Sequence, residues 1–183
     1  MSKRRSRSRS SQQFKMELGK PQGVIHPRVE AAGPERFGIV AVDCAKARSK
    51  WLLVNFYGRV LVPPVEVEHT AGGFRAALAS LELARQTHGL KDLVVAVERT
   101  GNYHLPALRA FRQAGYEARV LHPFATKHYR QPAHPGDKTD DHDLEAIAQA
   151  TIVGFALLEK PLDELYQKLR VLVRHRQIGR AHV

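Results

Sequence analysis

Two short apolar runs, "FGIVAVD" and "DLVVAVE", each end on a carboxylate. Both are short and rich in β-branched residues, and both read as buried strands. An acid at the end of such a run is costly unless it is paired or bound to a cation. In open α/β sheets, moreover, ligands gather at the carboxyl ends of the strands. If the two strands are parallel neighbours, Asp43 and Glu98 face each other there. Taken singly, each acid is better explained as a cap or loop residue just past a strand. The matched placement of the two makes a site an equal reading.

The rest of the chain supplies a frame for them. "KWLLVNFYGRVLVPPVEVEH" reads as two strands joined at a turn containing Gly58, with Pro63 and Pro64 placing the second at a sheet edge. Thr70 caps a helix with Phe74, Leu78, Leu81 and Leu83 as its apolar positions and Gly89 as its stop. After "DLVVAVE" come a helix, "NYHLPALRAFRQAG", and a strand, "YEARVLH". "PFATKHYRQPAHPG" reads as a basic, proline-bounded loop; residues 138–158 read as a helix, and Pro161 opens another. Three consecutive strands followed by helix, strand, helix, strand predict a meander continued by right-handed parallel crossovers. The fold class is therefore α/β: a mixed five-stranded sheet with helices on it.

Length and charge bound the partners. The 183 residues suffice for one domain of average size plus a tail. Of the net charge of +11, about half comes from residues 1–20, which carry seven Lys and Arg against the single acid Glu17. With their Arg/Ser alternation, residues 1–36 read as a disordered basic arm. Such an arm binds phosphate backbones without reading sequence, or simply solubilises the chain. No apolar run nears the roughly 20 residues of a membrane span, and no apolar segment follows the opening charges as a secretory signal would need. The single cysteine, Cys44, excludes an internal disulfide and fits a cytoplasmic location.

Against this basic background, "HPGDKTDDHDLEAIAQA" gathers five acids. The helix it opens has an apolar stripe at Leu144, Ile147, Ala148, Thr151 and Phe155, which puts Asp140 and Asp143 on or beside the core-facing side. Asp141, Glu145 and Gln149 fall on the solvent side, and Asp137 is placed to cap. Acids in a first turn suit the helix dipole without any function. The dipole does not need them to face the core, however, and a pair at i, i+3 can clamp one ion. Carboxylate oxygens suit Mg²⁺ or Mn²⁺, while His134 and His142 lack zinc-site spacing. Asp43, Glu98, Asp140 and Asp143 can together hold two divalent ions about 3.5–4 Å apart, an arrangement suited to phosphodiester chemistry. Lys127, His128 and Arg130, with Tyr129 for stacking, suit a nucleic-acid backbone. His122 and Tyr103 are further candidates for DNA contact, although such residues are more often structural.

"VDCAK", "VERTGNY" and "DKTDDHDLEAIA", in this order, resemble the DEDD-type insertion-sequence transposases, relatives of the pilin-gene invertases. The resemblance covers about residues 37–176. It implies an RNase H-like (RuvC-like) amino-terminal domain over residues 37–158, with Asp43, Glu98, Asp140 and Asp143 as its four acids and Mg²⁺ or Mn²⁺ as cofactor. Lys138 and Thr139 match the "KTD" that introduces the pair, beside the nucleic acid. DNA, and a structured RNA made by the element, are the implied partners. Residues 159–177 resemble the start of a helical linker whose Leu and Val spacing fits a homo-oligomer. Family members continue into a second domain with a serine nucleophile, so this chain is expected to be inactive alone. The last six residues, 178–183, have no counterpart and read as translated sequencing adapter. A sugar-kinase or actin-like ATPase shares the opening strands but needs a glycine-rich turn that "DCAKARSK" lacks. A stand-alone junction nuclease would end its reading frame near here, and a non-catalytic binding module would tolerate loss of Asp43 or Asp140.

Overall fold

The computed structural model describes residues 25–133 and 140–159, together with 169, 172 and 173. The expected linker and the last six residues therefore lie almost wholly outside the described residues, as do residues 1–24.

The sheet is five-stranded, in the order β3-β2-β1-β4-β5. The strands are β1 (Phe37–Cys44), β2 (Arg48–Asn55), β3 (Val60–Glu68), β4 (Asp92–Glu98) and β5 (Ala118–Leu121). β1 pairs antiparallel with β2, and β2 with β3, whereas β1–β4 and β4–β5 are parallel. This is the expected mixed α/β sheet: a meander followed by crossovers. Gly58 turns the hairpin at φ +78°, and the prolines of β3 lie on the edge strand, where a missing ladder donor is tolerated.

Helices cover both faces, which is why the central strands are apolar on both sides. Val40, Val42, Val95 and Val97 pack toward α2 (Ala71–Thr87) and α3 (His104–Gln113), meeting Leu81, Leu108 and Phe111. Ile39, Ala41, Val94 and Ala96 pack on the opposite side against Leu144, Ile147 and Ala148 of α5 (Asp140–Ile152). Thr70 caps α2 as expected, its Oγ1 accepting the Gly73 N–H at 3.0 Å.

Four local expectations are corrected. Residues 25–36, assigned to the arm, instead form α1 (His26–Ala32) and a short 3-10 turn (Pro34–Arg36). Ile25 and Val29 enter the second core. Arg28 ties the helix to the sheet, reaching both Asp92 oxygens at 2.6 and 2.8 Å and Glu117 at 2.8 Å. The basic stretch after β5 is a helix, α4 (Pro123–Ala133), not a loop. Pro123 opens it, where the missing N–H would have no partner anyway, and His122 Nδ1 accepts the Phe124 N–H at 3.2 Å. Leu83 points to solvent; Ala77, Leu81 and Ala84 make the buried stripe of α2. Finally, α5 ends at Ile152 rather than 158, because Gly154 leaves the helix at φ +99°. Phe155 is thus off the buried stripe and half exposed, and Leu157 exchanges two backbone hydrogen bonds with Val120 of β5.

The start of α2 gives a test. A Cβ on Gly73 would lie 2.3 Å from the Glu68 carbonyl oxygen, while one on neighbouring Gly72 would meet nothing nearer than 3.9 Å. Helix propensity alone favours alanine at both. We expect Gly72→Ala to stabilise by up to about 1 kcal/mol and Gly73→Ala to destabilise by about 1–3 kcal/mol, read from urea midpoints. Equal effects of the two would contradict this packing.

Candidate metal and nucleic-acid site at the carboxyl edge of the sheet

β1 and β4 run in register as far as Val42 opposite Val97. The next residues, Asp43 and Glu98, therefore stand at neighbouring positions on parallel strands. Strand parity settles which way they turn. Residues 39 and 41 of β1 and 94 and 96 of β4 face the core made by α5, so Asp43 and Glu98 face that side also. Both are half-buried. The backbone around them is fixed: Arg99 N–H donates to Leu121 O at 2.8 Å just beyond Glu98, and Ala45 N–H donates to Arg48 O at 2.8 Å just beyond Cys44. Thr100 Oγ1 reaches Glu98 Oε2 at 3.4 Å.

The first turn of α5 lies over this edge. Asp143 is buried, at 8% exposure, and accepts a charge-assisted hydrogen bond from Arg130 Nη1 of α4. Asp141 turns to solvent as expected, but it also binds Lys50 Nζ at 3.0 Å. Lys50 stands directly opposite Asp43 in the β1–β2 ladder, which ties the helix end to that position of the sheet. Asp140 opens α5, and its side chain lies outside the described residues, as do Lys138 and Thr139. Among the described residues, no three Asp, Glu, His or Cys side chains converge closely enough to share an ion. The structure thus brings Asp43 beside Glu98 and sets Asp143 on the facing helix, with a cation already on Asp143. The donors fit a hard divalent ion by chemistry: all are carboxylates, they come from three elements, and they share one side of the sheet.

The IS110-type DEDD transposase family, described as "Transposase", matches residues 40–178. The chain belongs to this transposase family. No curated protein sequence matches it. Among solved structures it is similar to T. thermophilus RuvC in complex with a Holliday junction substrate, at 14% identity and TM-score 0.38, covering 66% of this chain and 98% of that one. It is also similar to a ROK family transcriptional regulator, a homolog of the E. coli MLC protein, at 12% identity and TM-score 0.37, covering 55% of this chain and 31% of that one. A third is ROK hexokinase from Thermus thermophilus, at 17% identity and TM-score 0.34, covering 55% and 38%. The transposase chain spans about a third of the length of these two ROK proteins.

In this transposase chain the expected nucleic-acid contacts separate. Lys127 and His128 are exposed on α4. Tyr129 is half-buried, edge-on to Phe155 with ring centroids 5.9 Å apart and packed on the second core. His122 caps α4, and Tyr103 lies exposed just ahead of α3. Sequence reasoning missed Lys50. Its signal was parity: it shares a side with Leu52 and Val54, the α5 side of the sheet. No helix among the described residues is long and apolar enough to cross a membrane.

Cys44, next to Asp43, tests the parity argument. It faces the α2 and α3 side at 2% exposure. Burial pushes its thiol up to about 12; a hydrogen bond from Ser49 works against this, and the nearby carboxylates of Asp43 and Glu98 add to it. A buried, protonated thiol is inert. Cys44 should therefore fail to react with an aromatic disulfide reagent at pH 8 until urea unfolds the chain. Fast labelling of the folded protein would mean that Cys44, not Asp43, faces the open edge.

Proposed function

We propose that this chain is the metal-dependent, DNA-processing part of a transposase, and that Asp43, Glu98, Asp140 and Asp143 together hold Mg²⁺ or Mn²⁺. The observation that carries the reading is the β1–β4 register, with two carboxylates side by side at the carboxyl edge, turned toward the helix that bears the others. Bound there, one or two divalent ions would supply Lewis acidity and an activated water for phosphodiester cleavage. The chain's own residues do the rest. Asp43 and Glu98 sit on rigid strand ends and keep their oxygens in fixed positions. Asp143, and Asp140 less than one turn before it, bring oxygens from α5. Lys127 and Arg130 of α4, with Lys138 and Thr139 before α5, meet phosphate oxygens of the DNA backbone. The acids would otherwise repel that backbone, and the bound cations reverse the sign of the spot.

Several further features belong to the same reading. A structured RNA is a second nucleic-acid partner. The Leu and Val spacing of residues 159–177 supports a homo-oligomer. The chain acts in the cytoplasm on the nucleoid.

Mn²⁺ titration by calorimetry tests the site. Asp43→Asn, Glu98→Gln, Asp140→Asn and Asp143→Asn should each weaken Mn²⁺ binding about tenfold or more, with the fold checked by circular dichroism. Unchanged affinity in all four would refute the assignment.

A further inference from the structure

The first turn of α5 is fastened from two sides by cations of the chain itself. From β2, Lys50 reaches Asp141, and it does so from the position opposite Asp43. From α4, Arg130 reaches Asp143 in a pair whose side chains are only 19% and 11% exposed. Asp143 is one of the four acids of the proposed metal site, so its oxygens have two claimants. The guanidinium hydrogen bond occupies a lone pair of Asp143 Oδ1 that a metal ion at that oxygen would need. A divalent ion there would also repel the guanidinium at close range. α4 carries Lys127 exposed about one turn before Arg130, so a guanidinium released from Asp143 remains beside a second cation.

We propose that Arg130, assisted by Lys50, is a resident counter-ion of the acidic edge, exchanged for a divalent cation and then passed to a DNA phosphate. In the metal-free protein these two residues offset the charges of Asp141 and Asp143 and hold the first turn of α5 against the sheet. When the metal binds Asp143, Arg130 turns outward and pairs with the phosphate backbone. Metal and DNA binding are therefore coupled through one side chain. DNA that draws Arg130 off Asp143 raises metal affinity, and metal raises DNA affinity by the same factor. This inference rests on the metal-site reading above and adds the order in which charges change partners.

The test uses the full chain, Mn²⁺ and a mixed-sequence DNA duplex. Without DNA, Arg130→Gln should bind Mn²⁺ about tenfold more tightly than the parent, within the usual range for coupled sites. Arg130→Lys keeps the charge and should remain close to the parent, which separates the charge from a packing effect. With Ca²⁺ in place of Mn²⁺ to avoid cleavage, the parent should bind the duplex more tightly than in chelator. That gain should shrink in Arg130→Gln, with the salt slope of binding falling by about one. If Arg130→Gln leaves Mn²⁺ affinity unchanged or weakens it while Asp143→Asn weakens it, Arg130 is no competitor and the exchange is wrong. If neither Asp43→Asn nor Asp143→Asn alters Mn²⁺ affinity, the metal site itself is wrong and the exchange falls with it.

Discussion

The parallel pairing of β1 with β4 is the constraint on which the rest depends. Both strands are covered by helices on both faces, so a polar side chain along them has no outlet until the strand ends. Asp43 and Glu98 come at that first outlet, at adjacent positions. The hairpin after β1 and the turn after β4 hold them there through backbone hydrogen bonds. The position of the third element is then a geometric consequence: α5 packs on the face to which both acids turn, and its amino-terminal turn arrives over the same edge.

The two edges of the sheet treat their acids differently. At the amino edge, Arg28 binds Asp92 and Glu117 together and thereby docks α1. With Arg119 also on Glu117 at 2.6 Å, four charges are consumed there in holding the fold, and the guanidinium, with its several donors, suits such a junction. At the carboxyl edge Lys50 reaches Asp141 and Arg130 reaches Asp143, beside Asp43 and Glu98, which are half-buried at the sheet. The chain's own cations offset part of this acidic spot.

Much of this was legible in the sequence because it arises from local rules. Apolar runs gave the strands, Gly58 and Thr70 marked turn and cap, and the matched strand ends placed the two acids together if the strands were parallel neighbours. The misreadings have local causes too. Pro123 and the second proline of "RQPAHP" made α4 look like a loop, although a proline is harmless at a first helical position. The Arg/Ser tract hid α1, whose few apolar residues carry no long pattern. Phe155 continued the period of α5, but Gly154 breaks the helix before it. The Arg130–Asp143 and Lys50–Asp141 pairs were beyond sequence reasoning for another reason. They depend on how α4 and β2 approach α5 in space, and no spacing along the chain encodes that.

The central claim is that divalent cations bind at the carboxyl edge, between the ends of β1 and β4 and the start of α5. Paramagnetic broadening of backbone amide signals by substoichiometric Mn²⁺ reads that location directly. The account predicts selective loss of the signals of Asp43, Cys44, Glu98, Arg99 and residues 140–144, while those around Asp92 and Glu117 stay sharp. Broadening centred on Asp92 and Glu117, or spread evenly over the surface, would contradict it.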